Sequence, residues 1–216
     1  MHKISYILLM LFIYNLIGCA YPARYGKMVP EAYLFKPTPD KFFLKNKIVL
    51  EEVTGGKETN PLWVSEVGNQ EFKRALRESL RVQQLLASNS ADGKYGLTVS
   101  LEEISHPIFG FDTTAVSSVH YFLRKNKTNR IIFDKRITVS HTATSEDAYE
   151  ATIRGRVANE GAVRKNINNF LNLLLLLKNR FKDSVNPSDN NENYFNRDEN
   201  LIKPVTELPE PPDYKN

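Results

Sequence analysis

The sequence predicts an α+β domain over residues 46–182, a two-layer sandwich in which a four-stranded, mostly antiparallel sheet is covered by two helices. Three observations predict this fold class. The elements run strand, helix, three strands, helix; the strand segments alternate apolar and polar residues; and both helical segments carry an apolar stripe. Because the alternating strands leave one apolar face to cover, the two amphipathic helices are expected to pack on it.

The first strand and the first helix are separated by a polar loop. Ile48, Leu50 and Val53 lie within the predicted strand 47–53, and Gly55 and Gly56 follow it. The first helix is predicted over 66–87 with Ser65 as its N-cap. The inward stripe of this helix consists of Phe72, Ala75, Leu76, Ser79, Leu80 and Gln83.

Three strands and a second long helix complete the domain. Residues 95–101 alternate, as do 119–123 and 131–139 on either side of a turn at 125–129. The second helix is predicted over 159–178, with an apolar side made of Val163, Ile167, Phe170, Leu174 and Leu177. Its five-leucine run, 173–177, is too short to span a membrane, so we expect it to be buried beneath the sheet or the preceding linker.

The segments on either side of the domain have a different composition. Residues 20–45 contain four prolines and no period of 2 or 3.6, which predicts a linker spanning at most about 85 Å at 3.3 Å per residue. The linker either lets the domain stand clear of a membrane or is tied down by packing of Tyr33, Phe35, Phe42 and Phe43. The tail 183–216 is rich in Asn, Asp, Glu and Pro, which predicts disorder.

The N-terminus has the features of an export signal. Lys3 gives a short positive region, and the apolar run 4–17 has the length of a signal-peptide core rather than of a membrane span. The run ends in Leu16-Ile17-Gly18-Cys19, which resembles the lipobox of bacterial lipoproteins. The resemblance implies that residues 1–18 are a lipoprotein signal peptide and that Cys19 is the lipidation site. The alternative is an uncleaved anchor in which the cysteine is incidental.

The cysteine count agrees with lipidation. Cys19 is the only cysteine in the chain, so no disulfide framework exists, and lipid on its sulfur would leave no free thiol in an oxidising compartment. Acyl chains of the palmitate type contribute about 0.8 kcal/mol per buried methylene, so several chains hold a protein on a membrane. Ala20 follows the cysteine, and by resemblance to the sorting rule of enteric bacteria this favours the periplasmic face of the outer membrane.

The charge is unevenly distributed along the chain. The net charge is +4 overall, the tail 183–216 contributes −5 and Lys3 contributes +1, which leaves about +8 on residues 19–182. Such a bias would suit an anionic surface such as lipid headgroups or cell-wall polymer. The alternative interpretation is a solvated, lysine-rich surface without a specific partner.

The lipobox, short linker and single βαβββα domain resemble three groups of small envelope lipoproteins. These are the LptE-like subunits of the lipopolysaccharide translocon, the auxiliary lipoproteins of ABC-type lipid transport, and the activator lipoproteins of peptidoglycan synthases. The stretches Thr59–Ser65 and Pro107–Phe111 also resemble uncharacterised proteobacterial lipoproteins. The resemblance implies an accessory or assembly role.

No catalytic, cofactor-binding or metal-binding motif is evident. There is no G-x-S-x-G elbow, P-loop or G-x-G-x-x-G loop, and the only thiol is assigned to lipid. His106, His120 and His141 lie on separate segments without the spacing of metal ligands. We therefore expect a protein that is not an enzyme, uses no cofactor and binds no metal.

Four apolar residues in predicted loops are candidates for an interaction site. Ile108, Phe109 and Phe111 lie in a connection broken by Pro and Gly, where polar residues would be usual. Trp63 lies in the loop between the first strand and first helix. Each could instead cover the edge of the core.

These observations lead to two functional hypotheses. The first is a lipid-anchored, non-enzymatic envelope lipoprotein that assists or stabilises a complex for outer-membrane assembly, lipid transport or the cell wall. Its expected partners are the membrane, through the lipid, and an envelope protein, with no nucleic acid. The alternative is a carrier that binds lipid or glycan on its basic face.

Overall fold

The computed structural model describes residues 20–60, 65–105 and 112–183. The described residues up to Asn179 belong to one compact unit of the chain. The elements, in chain order, are α1 (Tyr25–Met28), a 3-10 turn (Ala32–Leu34), β1 (Ile48–Thr54), α2 (Asn69–Val82), β2 (Tyr95–Ser105), β3 (Thr113–Lys125), β4 (Ile131–Ala143) and α3 (Ala151–Asp183).

The four strands form one open, mixed sheet in the order β1-β2-β3-β4. β1 pairs with β2 in parallel, with Ile48 opposite Tyr95, because α2 carries the chain back between them. The other two pairs are antiparallel: Tyr95 lies opposite Lys125, and Val119 lies opposite Ile137. The predicted fold class, an α+β sandwich with a mostly antiparallel four-stranded sheet, is confirmed.

The core lies between the sheet and the helices. Alternate residues of β3 are buried beneath α3, and the ring of Tyr121 stacks on Phe170 with ring centroids 4.0 Å apart. Phe133 on β4 meets the same Phe170 edge to face. The buried side of α2 consists of Phe72, Ala75, Leu76, Ser79 and Leu80, which matches the predicted stripe.

The other face of the sheet is polar. His120 and Asp134 lie 2.6 Å apart across β3 and β4, and Ser118 and Thr138 are hydrogen bonded beside them. Exposed polar contacts of this kind contribute at most about 1 kcal/mol each, so they add little to the stability of the fold. Hydrogen bonding from Arg136 lowers the pKa of Glu102 on this face.

Both helices differ from the predicted ones at each end. α2 spans Asn69–Val82 rather than 66–87, and its N-cap is Gly68 rather than Ser65, because the carbonyl oxygens of Ser65 and Glu66 accept hydrogen bonds from outside the helix. α3 spans Ala151–Asp183 rather than 159–178. Asn159 is a buried residue inside that helix, where its amide donates to the Ser65 carbonyl at 2.7 Å.

The segment predicted to be a linker packs on the domain. Ala23, Met28, Phe42 and Leu44 are buried. The segment runs from the first turns of α3 to the start of β1, where the ring of Phe43 meets Phe42 and Tyr95 edge to face, as its aromatic content had suggested. Because this segment crosses over helices, its buried residues follow neither a strand nor a helix period. The side chain of Tyr33 is outside the described part of the structure.

The leucine run near the end of α3 is only partly buried. Leu174 is buried, but Leu176 is 59% exposed, so the expected burial of the run holds only in part. The run belongs to α3, which continues to Asp183. Among the described residues, no helix is both long and apolar enough to cross a membrane.

Candidate functional site

The residues that the sequence singled out all lie outside the described residues. They are the lipidation candidate and the four interaction candidates, Cys19, Trp63, Ile108, Phe109 and Phe111. Their described neighbours lie at one end of the domain. β2 ends at Ser105 and β3 begins at Thr113 beside the C-terminal end of β4, and Ser65 is held by α3. Ala20, the first described residue, is buried.

A salt bridge between an arginine and a glutamate holds the N-terminal segment on α3. The Arg24 guanidinium donates from Nε and Nη2 to the two carboxylate oxygens of Glu160, each at 3.0 Å. The backbone amide of Arg24 donates to the same carboxylate at 2.9 Å. Glu160 is only 4% exposed, whereas Arg24 is 51% exposed, so one charge is buried and the other faces water. The hydrogen bond to Glu160 raises the pKa of Arg24.

The loop before α2 is held between this segment and α3. The amide of Ala23 donates to the Glu66 carbonyl at 3.2 Å, and Asn159 donates to Ser65 from the other side. Four buried side-chain atoms in this region have no hydrogen-bond partner within the described ranges: Ser65 Oγ, Arg154 Nε, Arg156 Nε and Asn159 Oδ1.

Two tyrosines and three arginines lie together on the outer side of this region, and we call this group the Tyr/Arg patch. Arg156 is its most buried member, with 16% of its side chain exposed. The Arg156 guanidinium lies 5.8 Å from the ring centre of Tyr21. The Arg74 guanidinium lies 4.0 Å above the ring of Tyr25. Tyr21 is 59% exposed and Tyr25 is 39% exposed. Together with Arg24, these residues form one surface that includes the N-terminal segment, α1, α2 and α3.

No pattern in the sequence predicts this patch. Tyr21, Arg24 and Tyr25 directly follow the lipobox, and that closeness was the one available signal. Arg74 and Arg156 come from helices distant in sequence, so their place in the patch depends on tertiary packing.

The other polar centre of the core is structural. The Asn166 amide donates to the carbonyl oxygens of Ser117 at 3.0 Å and Ile137 at 2.8 Å, and its oxygen accepts from the Tyr121 hydroxyl at 2.9 Å. Burial raises the pKa of Tyr121 well above its ordinary value. These bonds tie α3 to β3 and β4.

The histidines do not converge. His120 lies on the polar face of the sheet, and His141 is half-buried beside Gly161 of α3, while His106 is outside the described residues. Burial lowers the pKa of His141, and the positive charges of Lys165 and Arg164 lower it further. In the described ranges, no group of three or more His, Cys, Asp or Glu residues is placed to hold a metal ion.

Comparison with known proteins gives matches by structure only. No protein-family model matches the chain, and no curated protein sequence does. A protein of the DUF330 family from Xanthomonas campestris is 12% identical with a TM-score of 0.44, covering 72% of this chain and 98% of its own.

Two further structures are similar at the same level. A PelC dodecamer from Paraburkholderia phytofirmans is 16% identical with a TM-score of 0.40, covering 61% of this chain and 90% of its own. A minor lipoprotein from Acinetobacter baumannii is 12% identical with a TM-score of 0.35, covering 64% and 97%. At these values the likeness carries no conclusion about function, and the resemblance to LptE-like subunits stays a prediction.

Proposed function

We propose that this chain is a non-enzymatic lipoprotein, anchored through lipid on Cys19 at the periplasmic face of the outer membrane, where it assists or stabilises an envelope protein complex. The observation that carries the proposal is the lipobox Leu16–Cys19 directly before a buried Ala20. A thioether to diacylglycerol on the Cys19 sulfur, followed by cleavage before it, would make this cysteine the first residue of the mature protein.

The packing of the N-terminal segment supports an accessory role. A flexible linker would let the domain move up to about 85 Å from the bilayer. Here, Ala23 and Arg24 are hydrogen bonded to the domain within five residues of Cys19. An anchor at Cys19 would therefore hold the domain at the membrane, with the polar face of the sheet available to a protein partner.

The anchor is tested by metabolic labelling with an alkyne fatty acid. The wild-type chain should incorporate the label, and Cys19→Ser should not, because only a thiol takes the lipid. The matched control combines Cys19→Ser with Ser88→Cys, which restores a cysteine on an exposed loop away from the signal. The control should remain unlabelled. Label on the serine variant, or on Ser88→Cys in that background, would contradict the assignment.

The accessory role is tested by crosslinking in intact cells before detergent extraction. The proposal predicts a defined envelope protein crosslinked to the wild-type chain and lost in Cys19→Ser. Recovery of the lipidated protein alone would count against an accessory role. Native mass spectrometry then distinguishes the accessory role from the alternative function of a lipid or glycan carrier. A carrier would retain the mass of a bound ligand in addition to its own acyl chains.

A further inference from the structure

We propose that the Tyr/Arg patch, formed by Tyr21, Arg24, Tyr25, Arg74 and Arg156, lies on the anionic headgroups of the membrane that holds the anchor. The inference rests on the proposed function, because it takes lipid on Cys19 as its starting point. It adds that the domain has one preferred orientation, with α1 and the exposed sides of α2 and α3 toward lipid and the polar face of the sheet away from it.

The first support is the distance between the patch and the anchor. Ala20 is buried in the domain surface, and one residue advances the chain by no more than 3.8 Å. Tyr21 is two residues from Cys19, and Tyr25 is six residues from it. Even a fully extended chain would place Tyr25 within about 20 Å of the Cys19 backbone. The surface closest to the anchor therefore includes this patch.

The second support is the charge of the patch. Three guanidinium groups belong to it, from Arg24, Arg74 and Arg156, against the single carboxylate of Glu160 that contacts them. Glu160 is buried and the Arg156 side chain is only 16% exposed, so the charge that faces solvent is the positive charge of Arg24 and Arg74. Positive charge close to a bilayer is attracted by anionic lipids by about 1 kcal/mol per arginine, a factor of about five in the docked population.

The third support is the pairing of each arginine with an aromatic ring. Arg74 lies over Tyr25, and Arg156 lies beside Tyr21. A tyrosine places an apolar ring and a polar hydroxyl at the level of the headgroups, where such side chains are enriched. The exposed Arg74 guanidinium, held over the Tyr25 ring, keeps its outer N–H groups available for bidentate bonds to phosphate.

The orientation is tested with a single thiol-reactive fluorophore on the full-length, lipidated chain. Gly26→Cys places the probe in the patch, and within the described part of the chain no atom lies within 4 Å of the added Cβ. Ser140→Cys is the matched control, because Ser140 is exposed on the polar face of the sheet. Each purified protein is reconstituted into phosphatidylcholine vesicles with or without about one-third phosphatidylglycerol, and the probe is quenched with aqueous iodide or with headgroup-labelled nitroxide lipid.

The expected result is opposite quenching at the two positions. In anionic vesicles, the Gly26 probe should be quenched by nitroxide lipid and protected from iodide, and the Ser140 probe should show the reverse. Equal iodide access at both positions in anionic vesicles would overturn the proposal. Protection of the Gly26 probe in whole envelopes but not in pure lipid vesicles would also overturn it, because a protein partner would then cover the patch.

Charge variants give an independent readout. Arg74→Gln should lower the ratio of docked to undocked protein about fivefold in anionic vesicles, measured from the iodide quenching of the Gly26 probe. Lys127→Gln removes a positive charge from the exposed β3–β4 turn at the other end of the strands and should leave the ratio unchanged. An equal effect of both variants would show that net charge, not the patch, attracts the lipid, and would contradict the proposal.

Failure of the anchor itself is distinguishable from failure of the orientation. The chain without an introduced cysteine should not react with the fluorophore, because lipid occupies its only thiol. Labelling of that chain would overturn the proposed function. An unlabelled chain whose Gly26→Cys probe is fully exposed to iodide in anionic vesicles would leave the lipid anchor in place and overturn only the docked orientation.

Discussion

Gly161 of α3 lies where the helix comes closest to the sheet. The residues around this crossing are small, with Ala158 and Ala162 on the helix packed against Ala115 and Ala143 on the strands. A Cβ added at Gly161 would overlap the imidazole ring of the neighbouring strand residue, His141. We therefore expect Gly161→Ala to destabilise the domain, although alanine normally stabilises a helix interior.

The size of the effect follows from two opposing contributions. Alanine in place of glycine stabilises a helix by about 1 kcal/mol, and forcing an extra methyl group into a packed core costs about 1–3 kcal/mol. Gly155→Ala is the control in the same helix, because no described atom lies within 4 Å of its added Cβ, so the free energy of unfolding should rise by up to about 1 kcal/mol. The two variants should differ by about 1–3 kcal/mol.

Urea unfolding of the detergent-extracted protein, followed by circular dichroism, measures both variants. Gly161→Ala should have the lower midpoint. Combining it with His141→Ala should recover much of the lost stability, because the clashing ring is gone and the two sites are in contact. Equal midpoints for Gly161→Ala and Gly155→Ala would refute the close approach of α3 to β4.

Three further predictions concern single residues. Asn166→Leu should lower the free energy of unfolding by about 1–3 kcal/mol, because it leaves the buried Tyr121 hydroxyl without its acceptor and removes the bonds to two strand carbonyls; a loss under about 1 kcal/mol in urea unfolding would contradict this. Because burial and neighbouring positive charge hold the pKa of His141 below 6.5, the unfolded chain binds the proton more tightly, so the melting temperature should fall as the pH drops from about 6.5 toward that lowered pKa. His141→Gln should reduce this fall, and an unchanged pH profile would argue against it. We also predict that Phe109→Ala or Phe111→Ala, at least one of the pair, changes stability by under about 0.5 kcal/mol, as an exposed interaction tip would; losses of about 3–5 kcal/mol in both would place these rings in the core.

The periodicity of apolar residues predicted those helices and strands that have one buried side and one exposed side. β3 has the helices on one side and solvent on the other, so its alternation was readable, and α2 has a single buried stripe from Phe72 to Leu80. The first turns of α3 are different. They are buried both by the sheet and by the N-terminal segment, and their buried residues include Gly155, Ala158 and Glu160. No apolar stripe marks such a helix, so its start was predicted eight residues late.

Of the candidate site, only the anchor residue could be predicted from the sequence. The lipobox is a local motif, so Cys19 could be proposed without a structure. The Arg24–Glu160 pair joins residues 136 positions apart, and the buried Glu160 looks like an ordinary surface charge in the sequence. Such long-range ion pairs depend on how the N-terminal segment crosses α3, and the spacing of residues in the sequence does not show this crossing.

The most direct test of lipid anchoring is the intact mass of the protein extracted from bacterial membranes with detergent. The account predicts a chain that begins at Cys19, with the mass of a diacylglyceryl group and any further acyl chain on that residue. Fragmentation should place all of the added mass on the first residue. A mass equal to the unmodified 216-residue chain, or a chain cleaved elsewhere with Cys19 free, would contradict the account.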